Sequence, residues 1–120
     1  MVLFIDDEIS ILPEYQEFLE LHGFASIIES NPHNAVETVL DRPDIRLVIT
    51  DLRMSGLNGV ELIKTLRQRL PANRHIAFLI LTGDREVCLD HEQIPAPILH
   101  KPIDPDALLY AVINACEEKA

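Results

Sequence analysis

The sequence predicts an α/β fold in which a parallel sheet carries helices on both faces. Three observations predict it. Short apolar runs alternate along the chain with segments whose apolar residues recur every three to four positions. The runs are apolar at nearly every position, as in Met1 to Ile5 and Ile76 to Leu81, which suits strands buried on both faces. Finally, run after run ends in a charged or hydroxyl side chain, at the strand ends where open α/β sheets place their chemistry. At 120 residues the chain is one domain, 1–120, long enough to bury a sizeable core.

Each element has its own justification. Met1 to Ile5 is the first strand, ended by Asp6-Asp7-Glu8. The next segment has helical spacing at Ile11, Leu12, Tyr15, Phe18 and Leu19, and Pro13 requires its helix to start close to Glu8 or Ile9. Gly23 stops it, and Phe24 to Glu29 is the second strand. Asn31-Pro32 supplies an N-cap and a proline in the first helical position, followed by Ala35, Val36, Val39 and Leu40 on one face. Ile45 to Thr50 is the third strand, with Asp51 at its end. Asn58-Gly59-Val60-Glu61 resembles a capping box, and the helix after it is expected to bury Val60, Ile63, Leu66 and Leu70. Ile76 to Leu81 is the fourth strand, ending at Thr82-Gly83. Arg85 to Gln93 is a weak helix, short or irregular, before the short fifth strand Ile98 to His100. Asp104-Pro105 opens the last helix, with Leu108, Leu109, Val112, Ile113 and Cys116 as its apolar stripe.

Composition excludes several classes. Hydrophobic residues make up 48% of the chain, which argues against disorder, and no apolar run is long enough to span a bilayer. The opening apolar run is interrupted at once by acids, so it is no signal peptide, and a cytoplasmic protein is expected. A net charge of −10 repels a phosphate backbone and speaks against direct nucleic-acid binding. Lys64, Arg67, Arg69 and Arg74 cluster in one segment and read as a solvated helix face. Cys88 and Cys116 lack metal-type spacing and read as buried thiols, and the scattered histidines form no triad or zinc set.

In a parallel sheet the strand ends share one edge. That edge would gather Asp6, Asp7 and Asp51 with the hydroxyl of Thr82 and the ammonium of Lys101. Three adjacent carboxylates repel one another, and a divalent cation relieves that conflict. All-oxygen ligands with room for water suit Mg²⁺, with Mn²⁺ as a substitute. Such an ion can clamp a phosphoryl group while the remaining carboxylate attacks phosphorus to give an aspartyl phosphate. Lys101 would offset charge on the phosphoryl oxygens, and Thr82 would donate a hydrogen bond to one of them.

These residues resemble those of the receiver domains of two-component response regulators, the CheY-like family. The likeness covers essentially the whole chain. It rests on Asp6-Asp7-Glu8, on Asp51 with Met54, Gly56 and Gly59, on Thr82-Gly83 and on Lys101-Pro102, in that order. The resemblance implies a flavodoxin-like (βα)5 sandwich with strand order 2-1-3-4-5. It makes Asp51 the phosphoacceptor, served by a histidine kinase or a histidine phosphotransfer protein. It gives Asp7, Asp51 and the backbone carbonyl of Arg53 the Mg²⁺, with Asp6 in the same acidic pocket, often through water. It has Thr82 and Lys101 contact the phosphoryl group and implies a cis Lys101-Pro102 bond. Phosphoryl uptake and loss would be self-catalysed, so the chain would act as a switch more than a turnover enzyme.

Some positions depart from the family pattern. Ser55 replaces a usual proline, the segment from Thr82 to Lys101 is short, and Ile98 stands where receivers carry Tyr or Phe. The readout on that side is therefore expected to differ. A degenerate receiver, acting as a phosphorylation-independent interaction module, is the alternative, though the complete charged set speaks against it. An Asp-nucleophile phosphatase is disfavoured because Arg53 occupies the place of its second Asp. No output domain is visible in the sequence, so the output lies with a downstream protein or a missing domain. Homodimerisation is left open.

Overall fold

The computed structural model describes residues 1–6, 12–52, 57–83, 96–101 and 103–118. Within them lie five strands and four helices: β1 (Val2–Ile5), α1 (Leu12–Leu21), β2 (Ser26–Glu29), α2 (Pro32–Asp41), β3 (Leu47–Asp51), α3 (Gly59–Arg69), β4 (Ala77–Thr82), β5 (Ile98–His100) and α4 (Pro105–Glu118). All pairings are parallel, in the order β2-β1-β3-β4-β5. The segment read as a weak helix, Arg85 to Gln93, lies outside the described residues, as do Cys88 and the Lys101-Pro102 bond.

The strands alternate side chains between two separate cores, as the two-residue period requires. Leu3, Ile5, Val48, Phe78 and Ile80 face α2 and α3, meeting Val36, Val39, Leu62 and Leu66. Val2, Phe4, Leu47, Ile49, Leu79 and Leu81 face the other way, meeting Leu19 of α1 and Leu108 and Val112 of α4. β1 and β4 are buried throughout and β3 up to its last residue, Asp51, whereas the edge strands β2 and β5 are only partly covered. Ile98 opens β5 opposite Ile80 and packs half-buried against the first of these cores.

The helix ends follow their local chemistry. Asn31 accepts from the His33 and Asn34 amides at 2.9 and 3.4 Å, and Pro32 follows as the first helical residue. Asn58 accepts from the Glu61 amide at 2.8 Å. The return bond of this box runs between side chains, from Asn58 Nδ2 to Glu61 Oε1 at 2.9 Å. The α1 terminus is a Schellman turn: Phe24 N–H bonds the Leu19 carbonyl and Gly23 N–H that of Glu20. Gly23 takes φ 90°, a region that glycine enters without cost.

The buried face of α3 differs from the sequence reading. Gly59, Leu62, Ile63 and Leu66 are buried, and Val60 and Leu70 are half-buried. The phase of the helix is set by Gly59, which lies directly against the end of β3, and counting three, four and seven residues on from it gives the buried set. The remaining shifts are at boundaries. β3 begins two residues later than read and takes in Asp51, and β4 takes in Thr82, so both polar residues are the last of their strands.

Candidate functional site

The carboxyl edge of the sheet positions the site. β1 runs into Asp6, β3 ends on Asp51, β4 on Thr82, and β5 leads into Lys101. The parallel register sets these ends side by side, with Ile5 opposite Thr50, Asp51 opposite Leu81 and Thr82 opposite His100. Two backbone bonds lock the edge: Lys101 N–H donates to the Thr82 carbonyl at 2.7 Å and Leu52 N–H to that of Leu81 at 2.9 Å.

Three of the residues singled out in the sequence meet here. Lys101 Nζ lies 2.8 Å from Asp6 Oδ2 and 3.2 Å from Asp51 Oδ1. Asp6 is almost completely buried, with 2% of its side chain exposed, while Asp51 retains 13% and Lys101 21%. The ammonium thus bridges both carboxylates. The shorter bond goes to the more buried acid, where the medium screens least. Thr82, also buried, stands on the same edge. Asp7 and Arg53 lie outside the described residues. Among the described residues no three acidic, histidine or cysteine side chains form a metal-sized group.

The electrostatics of the pair are unequal. Burial raises the Asp51 carboxyl above its ordinary value and the nearby Asp6 charge adds to this, outweighing the attraction of Lys101. For Lys101, burial alone would depress the ammonium, but the bonds and charges of Asp6 and Asp51 outweigh it and its net shift is upward. The lysine is therefore firmly charged while Asp51 is held at a cost. A carboxyl raised in the folded state favours folding at low pH and loses that contribution as pH rises through its folded value. At neutral pH Asp51 consequently opposes folding of the metal-free protein. Asp51→Asn should raise its Tm by about 2–4 °C at pH 7, and the gain should shrink as the pH approaches 4. A thermal melt at both pH values checks this, and a lowered Tm at pH 7 would contradict it.

Gly59 has a role here that the sequence reading did not see. A Cβ at this position would lie 2.6 Å from the Asp51 carbonyl oxygen and 3.2 Å from the Leu52 Cα. Gly59 N–H also bonds the Leu52 carbonyl at 2.9 Å. The first turn of α3 therefore rests on the backbone that carries Asp51. The direct Lys101–Asp6 pair was not foreseen either, since lysine was read only as a partner for an incoming phosphoryl group. The sequence signal for both lay in the strand-end pattern, but pairing and close approach need the third dimension.

Comparison with known proteins agrees with this fold. Residues 2–113 match the family model of the response regulator receiver domain. The two-component response regulator PprB of Pseudomonas aeruginosa is 32% identical over 114 residues, which cover 92% of this chain and 42% of that protein. The transcriptional regulatory protein FixJ of Azorhizobium caulinodans is also 32% identical over 114 residues, covering 90% of this chain and 51% of its own length. The chain thus spans about half or less of these relatives. Among solved structures, a response regulator receiver domain protein from Clostridium thermocellum superposes with a TM-score of 0.85 at 29% identity, covering 98% of this chain and 94% of that one. A CheY-like receiver domain from Methylobacillus flagellatus, at 24% identity and a TM-score of 0.78 over 95% of this chain and 96% of its own, shares the fold. With a flavodoxin-like sheet, acids and a lysine gathered at its carboxyl edge, and a family match over nearly its whole length, the chain belongs to the response regulator receiver domains of two-component signalling.

Proposed function

We propose that this receiver is a phosphorylatable switch whose acceptor is Asp51. The observation that carries the reading is the convergence of Asp6, Asp51 and Lys101 at the end of the central strand, with Lys101 within 3.2 Å of the proposed nucleophile. In the reaction a carboxylate oxygen of Asp51 attacks the phosphorus of a phosphohistidine on a sensor kinase or phosphotransfer protein. The new P–O bond forms as the P–N bond breaks, and the imidazole keeps the electron pair. Lys101, held between two carboxylates, is placed to exchange part of that pairing for the phosphoryl oxygens. Thr82, on the neighbouring strand end, supplies the hydroxyl that bonds one of them.

The donor set fits a hard divalent ion, because Asp6 and Asp51 offer only oxygens and the Asp6 charge raises the cost of charging Asp51. Asp6, Asp7, Asp51 and the Arg53 carbonyl would hold Mg²⁺, or Mn²⁺ in its place. When bound, the ion neutralises charge shared between the carboxylates and the phosphoryl oxygens. In this reading residues 1–120 work as one receiver unit in the cytoplasm, where kinase and phosphodonor meet, and pass the signal to a downstream protein or an attached output domain. No helix among the described residues is long and apolar enough to cross a membrane. Intact mass after incubation with acetyl phosphate tests the reading. A phosphoryl adduct is expected that requires both Mg²⁺ and Asp51, and is absent in Asp51→Ala. Failure with acetyl phosphate and with a cognate kinase would leave a phosphorylation-independent interaction module.

A further inference from the structure

Thr50 is a buried polar residue that the reaction so far leaves without a part. It precedes Asp51 in β3 and is completely buried, a costly place for a hydroxyl unless the group is bonded. The two-residue period of the strand sets its side chain on the same face as Val48 and Leu52, opposite to that of Asp51. This is the face that α3 covers, and Thr50 Cγ2 lies 3.3 Å from where a Cβ on Gly59 would stand.

From there the hydroxyl turns back onto the main chain. Thr50 Oγ1 donates to the Asp51 carbonyl oxygen at 2.9 Å. The same peptide unit is held at its other end, where Leu52 N–H donates to the Leu81 carbonyl at 2.9 Å. A peptide unit is planar, so fixing its carbonyl and its N–H fixes the tilt of the whole plane. That tilt sets the direction in which the Asp51 Cα projects its side chain. The carbonyl also lies so close to Gly59 that no side chain fits between them, which leaves it little room to swing toward α3. Such bracing matters at this position, because Asp51 is the last residue of its strand and the regular ladder ends with it. A nucleophile needs close alignment with the atom it attacks, and a misplacement of about 1 Å can cost on the order of a hundredfold in rate.

We propose that Thr50 is a positioning residue for phosphoryl uptake: its hydroxyl braces the Asp51 carbonyl and thereby aims the Asp51 carboxylate at the incoming phosphorus. The inference rests on the reading of Asp51 as the acceptor. Thr50 acts through the backbone, from the face of β3 opposite to the carboxylate.

The test compares Thr50→Val, which keeps the branched shape and removes the donor, with Thr50→Ser, which keeps the donor. The rate of phosphoryl uptake from acetyl phosphate with Mg²⁺ is followed by intact mass and expressed per folded molecule. Thr50→Val should be about tenfold slower than wild type, and Thr50→Ser should stay within about threefold of it. Amide hydrogen exchange, with neither phosphodonor nor Mg²⁺, reads the brace directly. The ratio of Leu52 to Leu79 exchange rates should rise about tenfold in Thr50→Val, since Leu79 in the middle of β4 reports the stability of the sheet as a whole. Uptake by Thr50→Val equal to wild type overturns the proposal. So does an equal loss in Thr50→Val and Thr50→Ser, or an unchanged exchange ratio. No uptake by wild type, from acetyl phosphate or from a cognate kinase, is a different failure: it removes Asp51 as acceptor, and the Thr50 bond then has no reaction to aim.

Discussion

Lys101→Met should lower the stability of the metal-free protein by about 2 kcal/mol, a fall of about 8 °C in Tm. The reasoning starts from burial. Asp6 and Asp51 are held where water reaches them poorly, and both rely on the same ammonium at 2.8 and 3.2 Å. Removing one partner of a buried pair leaves charge that the surroundings compensate badly, which costs 3–5 kcal/mol for a fully buried pair. The figure is reduced here because the lysine is partly exposed. Methionine keeps most of the stem's packing, so the loss reports charge. If the acidic edge is also a cation site, Mg²⁺ should recover a larger part of the stability in the variant than it adds to wild type. Thermal melts of both proteins with and without Mg²⁺ decide this. Equal melting points in metal-free buffer would mean that the two carboxylates do not depend on the lysine for their charge. The contrast with Asp51→Asn is diagnostic, since removing an acid from the same cluster should stabilise while removing the base destabilises.

The second large effect is expected at Gly59. Gly59→Ala forces a methyl to within 2.6 Å of the Asp51 carbonyl oxygen, and both of its nearest neighbours are backbone atoms that cannot rotate away. Either α3 lifts from the strand end or β3 bends, and overpacking of this kind costs about 2–3 kcal/mol. A fall of about 10 °C in Tm is expected. Because the strained contact is with the residue that carries the proposed nucleophile, phosphoryl uptake from acetyl phosphate should fall further than the unfolded fraction accounts for. Uptake per folded molecule equal to wild type would show that α3 gives way without moving Asp51.

How far the sequence foretold this molecule depends on which residues are asked about. Alternating apolar runs and helical stripes are local signals, so β1, β3, β4 and the caps at Asn31 and Asn58 could be read from neighbours a few positions away. The strand-end polar residues were legible for the same reason, and parallel alternation then placed them on one edge. On α3, Ile63 and Leu66 were read correctly as buried, but Leu62 was missed and Val60 and Leu70 are only half-buried, because the phase of the helix is set by contact between Gly59 and β3, which no helical pattern contains. The bridging position of Lys101 was hidden because Asp6 lies 95 residues earlier. Arg74, read as part of a solvated helix face, instead lies beyond the end of α3 and donates to the carbonyls of Val39 and Arg42; this was hidden too, since an arginine bonded to backbone carbonyls has the same letter as one in water.

The division of the core into two faces bears on how the chain is made. The face formed by Val2, Phe4, Leu47, Ile49, Leu79 and Leu81 takes part of its cover from Leu108 and Val112 of α4, the last of the described helices in chain order. The opposite face is closed by α2 and α3, which emerge much earlier. A nascent chain halted before residue 105 therefore presents a half-finished sheet, with α2 and α3 available to one face and the other covered by α1 alone among the described helices. Such a species is a natural client for chaperones and a seed for aggregation, and the ribosome must deliver almost the entire receiver before any of it is safely folded.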